Sequence, residues 1–422
     1  MEFKPLQSLS PARPVPGAAR WYRWLHVGGL GLLAATAGMV AFNVDLPSAA
    51  YPWSVAQGFL FAAACLAIGL RACRTRPHVL VLLLGWYLGS LAAMPFTWHA
   101  FFSTGWGWLV WVVLATLLAL PSLLAPRRWP AFGFLSAAVL ASVPPLGFVG
   151  LGNPLMVAGA LFPGARWFGL LLCLGFFALS ALRSRAAAIA QMVMLGFGLL
   201  VLTRPPPAPP AYVWAATTFD GLYPEQSLAE SFKRQDGAMA TVRTALNQGA
   251  RLVVMPETTD PLWDDGQAFY WGGVTRLAVH DKAQVIIGIY TNPMSTTEPI
   301  DGLLDLSSGK IYPAMIAMPL AMWRPWSGNS FPLHLAATAP IPTAAGPAAH
   351  LICYEELLVW PLAAQEIHTR PTLLLSAANQ WFAGGWLARA QSRSVAMQAR
   401  LWGLPLVRAV NHHARSFRSS KQ

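Results

Sequence analysis

The sequence predicts a multi-span α-helical membrane domain followed by an α/β domain, and three observations carry that prediction. Hydrophobic residues make up 55% of the 422 residues, whereas charged residues make up only 11%. Of the 17 Asp and Glu residues, only Glu2 and Asp45 precede position 205, so the first half is apolar with clustered arginines. Beyond that position, short apolar runs alternate with helical patterns. The composition excludes a disordered, collagen-like or disulfide-stabilised chain.

Seven apolar runs in the first half have the length of a single membrane span, roughly 17–20 residues. They cover residues 25–43, 53–71, 79–95, 105–125, 131–150, 167–182 and 186–203. The predicted organisation is an N-terminal cytoplasmic segment, a membrane domain of about seven helices, a stiff Pro-rich linker and an α/β domain. Their respective bounds are 1–24, 25–203, 204–211 and 212–422.

Arginines indicate the orientation, because short loops rich in Lys and Arg stay in the cytoplasm. They occur before the first run and in the loops after the second, fourth and sixth runs, notably Arg74, Arg128 and Arg183. We therefore expect a bacterial inner-membrane protein with its N-terminus in the cytoplasm. An odd number of spans then places residues 212–422 in the periplasm. The net charge of +12 follows from these loops and the C-terminal tail, so direct nucleic-acid binding is not predicted.

The second half alternates between strand and helix patterns, which is typical of an α/β domain. Predicted strands cover 212–218, 252–255, 283–290, 350–352 and 372–376, and predicted helices cover 227–248 and 266–281. Glu257, Cys353 and Asn379 each stand where one of these strands ends. Strand ends gather at one edge of an α/β sheet. Each residue alone has a structural explanation, but their joint placement favours a catalytic site.

Cysteine and histidine usage narrows the chemistry. Cys353 is the one cysteine of the second half, so it has no disulfide partner on its predicted side of the membrane. A lone thiol in an oxidising compartment is expected to be buried or used. The nine histidines are scattered without metal-ligand spacing, and neither a G-x-S-x-G elbow nor a phosphate-binding loop occurs. No metal and no cofactor are therefore predicted.

Residues 254–258 (Val-Met-Pro-Glu-Thr) and 351–355 (Leu-Ile-Cys-Tyr-Glu) resemble the nitrilase, or carbon–nitrogen hydrolase, superfamily. Residues 379–382 (Asn-Gln-Trp-Phe) are similar to a stretch of its membrane-anchored branch, apolipoprotein N-acyltransferase, with one residue fewer between Asn and Trp. The TraB family of conjugal transfer proteins is closer still. The segments that resemble it are 142–147, 160–164, 322–326, 353–361 and 403–407.

The resemblance implies an αββα sandwich with a Glu–Lys–Cys triad. Cys353 would be the nucleophile that forms a thioester, and Glu257 would be the general base. Tyr354 and Glu355 would shape the pocket beside the nucleophile. Asn379 and Trp381 would support it. An amine acceptor would give acyl transfer, whereas water would give amide hydrolysis.

One departure from the superfamily concerns its lysine. When residues 312–319 are matched to the superfamily's Tyr-x-Lys stretch, the lysine position is Ala314, and the second Glu of the acyltransferase branch falls at Met322. Loss of a group that stabilises the oxyanion typically costs about 10²–10³ in rate. Arg324 and Lys310 are the nearby cations that could replace it.

Two functional classes follow from these observations. In the first, this is a conjugation protein whose domain is a Cys-dependent acyltransferase or amidase. In the second, the nitrilase-like domain is catalytically degenerate and serves conjugation by binding. The partners implied are a membrane lipid or lipid-linked substrate and proteins of the conjugation machinery, and the pattern leaves oligomerisation open.

Overall fold

The computed structural model describes residues 18–44, 53–202, 204, 206–216, 219–220, 228–291, 298–328, 330–380 and 385–412. Most of the predicted N-terminal segment lies outside these residues. The first half is helical throughout. Its helices are α1 (Ala18–Phe42), α2 (Trp53–Ala72), α3 (Arg76–Ser90), α4 (Met94–Phe102), α5 (Gly107–Ala119), α6 (Ala131–Leu140), α7 (Ala158–Leu161), α8 (Arg166–Leu182) and α9 (Arg185–Val201).

Three of these helical segments are long and apolar enough to cross a membrane: α1, α2 and α5 with its 3₁₀ extension to Leu124. The number rises to five if the bent pairs α3/α4 and α7/α8 each form one span. Helices α6 and α9 are shorter. The run 131–150 is helical only as far as Leu140 before two short turns, because Pro144 and Pro145 cannot propagate a helix. Whether seven segments cross a membrane therefore stays a prediction.

The loops rich in arginine lie together at one end of the helical domain. Arg183 donates a hydrogen bond to the carbonyl of Cys73. Arg71 donates to the carbonyl of Ser184 at 2.9 Å and to the side chain of Gln191 at 3.0 Å. These bonds join the loop after α2 to the loop between α8 and α9. The loop before α6 borders the same cavity as those two loops.

Residues 206–211 of the predicted linker form neither helix nor strand. The strands that follow are β1 (Val213–Ala215), β2 (Phe219–Asp220), β3 (Leu252–Val254), β4 (Asp260–Trp263), β5 (Gln284–Thr291), β6 (Asp301–Asp305), β7 (Lys310–Pro313), β8 (Ile341–Thr343), β9 (Gly346–Ile352), β10 (Leu373–Asn379) and β11 (Leu406–His412). The helices are α10 (Leu228–Asn247), α11 (Asp265–Tyr270), α12 (Gly272–His280), α13 (Trp360–His368) and α14 (Gly385–Trp402).

The strands form two sheets that pack face to face. One has the order β1-β3-β5-β6-β7 with β4 beside β5, and the other has the order β2-β11-β10-β9-β8. Val254 and Leu375 point into the core between the sheets, whereas their neighbours Val253 and Leu374 point outward. Helices α10 and α12 cover the first sheet, and α13 and α14 cover the second. The αββα sandwich expected from the resemblance is confirmed.

The predicted elements match this sandwich with one difference of detail. The expected strands at 252–255, 283–290 and 372–376 correspond to β3, β5 and β10. The expected helix at 266–281 is instead two helices, α11 and α12, which meet at Trp271. Trp271 is fully buried, and its indole N–H donates to Asp260 at 3.2 Å, so the bend places this large ring in the core.

Helix α14 connects the sandwich to the membrane domain. Buried Arg393 donates hydrogen bonds to the carbonyls of Ala41 at 2.6 Å and Val40 at 3.0 Å, in the last turn of α1. Arg400 donates to the carbonyl of Val201 at 2.7 Å, at the end of α9. The last carbonyls of a helix have no partner within it. Two arginines of one helix thus cap the ends of two apolar helices of the first half, α1 and α9.

The contact between Arg393 and α1 predicts a stability effect. Arg393→Met keeps the aliphatic bulk but removes the donors from two buried carbonyls, which should lower the free energy of unfolding by about 1–3 kcal/mol. Thermal unfolding of the detergent-solubilised chain measures the change. Arg276→Met, at an exposed position of α12, is the matched control and should leave the melting temperature nearly unchanged. Equal shifts in the two variants would show that the buried contact contributes nothing specific.

Candidate active site

The ends of three strands bring Glu257, Cys353 and Asn379 into contact. The Glu257 carboxylate accepts a hydrogen bond from the Asn379 backbone N–H at 2.8 Å. The Cys353 thiol is close enough to this carboxylate to lower its pKa. The sulfur of Cys353 lies 3.8 Å from the carbonyl oxygen of Asn379. The edge predicted from the strand pattern is therefore one compact site, while the catalytic roles of its residues stay predictions.

Tyr290 belongs to the same site and was missed by the sequence analysis. Its hydroxyl donates to the Glu257 carboxylate at 3.0 Å. It arrives there because β5 passes very close to residue 257: a Cβ at Gly288 would lie 2.3 Å from the carbonyl oxygen of Pro256. Only glycine permits that approach. The signal that could have found Tyr290 was its position at the end of a fourth strand of the same edge.

Cys353 occupies a strained turn. Its φ is +43°, in the left-handed region, which costs a non-glycine residue about 1–3 kcal/mol. Glu355 holds the turn in place. Its carboxylate accepts from the N–H of Ile352 at 2.9 Å and from the N–H groups of Met315 at 2.6 Å and Ile316 at 3.2 Å. The turn that carries the thiol is thereby tied to the segment in which the superfamily carries its lysine.

Helix α14 supplies a further contact to the thiol. The side-chain N–H of Gln391 donates to the carbonyl of Cys353 at 3.2 Å and approaches its sulfur at 3.8 Å. The oxygen of the same amide accepts from Gln380 at 2.9 Å. This amide pair fixes the orientation of Gln391. A polar residue in the middle of an amphipathic helix carries no signal of such a role in the sequence.

The predicted supporting residues Tyr354 and Arg324 lie in different places. Tyr354 lines the cavity that Cys353 also lines, and its hydroxyl donates to the carbonyl of Phe148 in the helical domain at 2.8 Å. Arg324 lies in the loop between β7 and β8, where its N–H donates to Ser330 at 2.8 Å. Trp381 is outside the described residues.

The positions matched to the superfamily's charged residues contain neutral ones. Ala314 is buried between the two sheets, and its N–H donates to the carbonyl of Asp301 at 2.8 Å. The sulfur of Met322 lies 4.0 Å from the hydroxyl of Tyr290, next to Glu257. Among the described residues, Arg324 is not one of the groups that shift the pKa of Glu257 or Cys353.

Burial dominates the electrostatics of the site. It raises the pKa of Glu257 to about 7, although hydrogen bonds from Cys353, Asn379 and Tyr290 oppose that shift. Burial and the neighbouring Glu257 carboxylate raise the pKa of the Cys353 thiol well above its usual value. Burial also raises the pKa of Asp301. At neutral pH the thiol therefore keeps its proton, and Glu257 is the group able to remove it.

An apolar cavity of about 70 Å³ lies beside Cys353. Its walls come from both domains: α1, α3, α4 and the segment before α7 on one side, and the Cys353 turn and α14 on the other. The apolar lining includes Phe42, Leu91, Met94, Leu151, Leu357 and Leu387. No group of three or more His, Cys, Asp or Glu side chains arranged to hold a metal is found among the residues that the structure describes.

Two curated proteins resemble this chain in sequence. Conjugal transfer protein TraB of Agrobacterium fabrum is 29% identical over 300 residues, which are 66% of this chain and 66% of that protein. Probable conjugal transfer protein TraB of Sinorhizobium fredii is 27% identical over 350 residues, which are 80% of this chain and 89% of that protein. The chain thus spans just under two thirds of the first relative. No family model matches.

Among solved structures, an amidase from Nesterenkonia AN1 that belongs to the nitrilase superfamily is similar to part of the chain. One mutant of it aligns with 47% of this chain and 75% of its own, at 16% identity and a TM-score of 0.31. A second mutant of that amidase aligns with 47% of this chain and 78% of its own, at 15% identity and a TM-score of 0.29. The description of the fold as an αββα sandwich is based on the strand order of this chain and not on these alignments.

The raised pKa of Glu257 predicts how stability depends on pH. The folded state holds the Glu257 proton up to about pH 7, whereas an ordinary glutamate loses it near 4.5. The stability contributed by that protonated carboxyl is complete below about pH 4.5 and is lost as pH rises through 7. Glu257→Gln removes the ionisation. The melting temperature of the variant relative to wild type should therefore increase by at least about 2 °C between pH 5 and pH 8. A difference independent of pH would contradict the raised pKa.

Proposed function

We propose, because the chain is related to the TraB conjugal transfer proteins, that it serves plasmid conjugation as an envelope protein whose sandwich domain transfers an acyl group through Cys353. The convergence of the Cys353 thiol and the Glu257 carboxylate on the backbone of Asn379, beside an apolar cavity that reaches into the helical domain, carries this proposal. The catalytic pair needs no bound metal or cofactor for the chemistry that follows.

The reaction has two halves. The sulfur of Cys353 attacks an acyl carbonyl while its proton passes to Glu257, and collapse of the tetrahedral adduct expels the donor's leaving group, which takes that proton. An amine or water then attacks the thioester and gives its proton to Glu257. Collapse of the second adduct releases the acylated product and the Cys353 thiolate, which takes back the proton.

The oxyanion of each adduct must be stabilised by neutral donors, because Ala314 stands in the lysine position. The Tyr290 hydroxyl donates its single proton to Glu257 at 3.0 Å in the resting site, so it becomes available to the oxyanion only after Glu257 has taken the thiol proton. Without the cation, the reaction should be slower by about 10²–10³ than in an enzyme with the full triad.

The cavity indicates the substrate class. Apolar side chains from α1, α3 and α4 favour a long hydrocarbon chain, and their position on membrane helices favours a lipid-linked acyl donor. The arginine loops lie at the ends of α2 and α8, whereas the sandwich contacts the opposite ends of the bundle, at α1 and α9. Because arginine-rich loops stay in the cytoplasm, this placement supports a periplasmic sandwich domain.

A second candidate function is binding without catalysis. The observation that favours it is the absence of a cation among the groups that shift the pKa of Cys353 in the described part of the chain. A thiol with a strongly raised pKa reacts slowly. In that case the domain would act in conjugation by holding an apolar ligand or a partner protein.

Replacing the nucleophile separates the two candidates. In donor cells with matched protein levels, Cys353→Ala should reduce conjugation frequency at least about tenfold, because no thioester can form. Cys173→Ala removes a buried sulfur from α8 and is the matched control, which should stay within about twofold of wild type. Intact mass analysis should also show an acyl adduct on the wild-type chain that Cys353→Ala lacks. Unchanged transfer with Cys353→Ala would support binding and overturn the catalytic role of Cys353 and Glu257.

Filling the cavity tests the acyl donor. Ala390 is buried on α14 and lines the cavity, so Ala390→Phe should occupy the space of the hydrocarbon chain. Loading from a long-chain phospholipid should fall at least about tenfold, while loading from a short-chain thioester should change less than about twofold. Ala388→Phe, on the same helix but outside the cavity lining, is the matched control. Equal loss for long and short donors would show that the cavity does not bind the chain.

A further inference from the structure

A second cavity lies at the opposite end of the membrane domain, far from the chemistry proposed above. Its charged lining consists of Arg74, Arg128 and Arg183, from three different loops, and Trp129 and Ser180 lie beside them. Its volume is about 120 Å³. Since one water requires roughly 10–15 Å³ by this measure, the cavity has room for a phosphate-sized group.

Among the residues that the structure describes, no carboxylate lines this cavity. Glu2 and Asp45 are the only acidic residues before position 205 in the entire sequence. The three arginine side chains reach solvent, and their convergence without a carboxylate creates a positive potential that attracts anions. The cavity therefore fits an anionic ligand.

The loops that carry the arginines are held in fixed positions. Arg183 is in the left-handed region with φ +49°, and one of its N–H groups donates to the carbonyl of Cys73. A guanidinium has five N–H donors, so this bond orients the group without exhausting it. Arg71 adds the bonds to Ser184 and Gln191 that hold the neighbouring loop. An arginine that served only to orient a span would not need the loops to be joined by these hydrogen bonds.

The remaining lining identifies the kind of anion. Trp129 is 44% exposed beside the arginines, whereas Leu70, Pro130 and Ala131 are buried at the end of an apolar helix bundle. A guanidinium binds phosphate oxygens in a bidentate manner, and tryptophan side chains prefer the level of lipid headgroups. The exposed indole adds nothing to the binding of a free phosphate ion, whereas a phospholipid presents a phosphate together with hydrocarbon that the indole can contact. We propose that this cavity binds the headgroup phosphate of an anionic phospholipid.

The test uses the full chain in neutral detergent and titrates phosphatidylglycerol by native mass spectrometry. The double variant Arg74→Gln/Arg128→Gln removes two cavity cations and should weaken phosphatidylglycerol binding at least about tenfold. The double variant Arg127→Gln/Arg185→Gln removes the same charge from adjacent positions that do not line the cavity. It should bind within about twofold of wild type, and zwitterionic phosphatidylcholine should bind weakly to all three proteins.

Three outcomes would overturn the proposal. Equal weakening in both double variants would assign the binding to diffuse positive charge. Full displacement of phosphatidylglycerol by millimolar inorganic phosphate would make the site one for a free anion. Selective loss of single-stranded oligonucleotide binding in the cavity variant, with lipid binding unchanged, would assign the arginines to nucleic acid. None of these results depends on whether Cys353 is catalytic.

Discussion

The hydrogen bonds from Arg393 to the end of α1 are the interaction on which the arrangement of the two domains depends. They place a buried guanidinium at backbone carbonyls that would otherwise lack partners, and loss of a charged donor there is costly. Gln391, two residues earlier on α14, contacts the backbone and sulfur of Cys353. The same helix therefore anchors the sandwich to the membrane helices and positions the candidate nucleophile, so a shift of α14 would move both.

The pKa values of the ionisable groups at the site are raised because the groups are buried and no cation is among the causes that offset the burial. Glu257, Glu355 and Asp301 are all buried, and each has a raised pKa. Glu356 is also buried, and Arg408 donates to both of its oxygens, at 2.6 and 2.8 Å. Arg408 is thus paired with Glu356 and is not among the groups that shift the pKa of Glu257 or Cys353. In the reaction proposed above, the proton of Cys353 has to pass to Glu257, because a preformed thiolate is strongly disfavoured there.

The membrane domain differs at its two ends. At the end capped by α14, apolar walls lead to Cys353; at the other end, arginines from three loops converge on a polar cavity. In membrane proteins, short loops rich in arginine gather on the cytoplasmic side. The arginines of this domain are likewise gathered at one of its two ends. The two cavities are the basis of the two lipid proposals made above, one for an acyl chain beside the sandwich and one for a headgroup at the far end.

The sequence by itself determined the division into an apolar half and an α/β half, and it located Glu257, Cys353 and Asn379 at strand ends, because hydrophobic periodicity and strand ends are local properties. Its motifs also identified the sandwich and the missing lysine at Ala314. Only the tertiary structure decided that Tyr290 and Gln391 reach the site, that Arg393 and Arg400 cap membrane helices, and that three loop arginines share one cavity. Those contacts join residues far apart in the chain, and the packing of the helices and sheets brings them together. No local pattern encodes them.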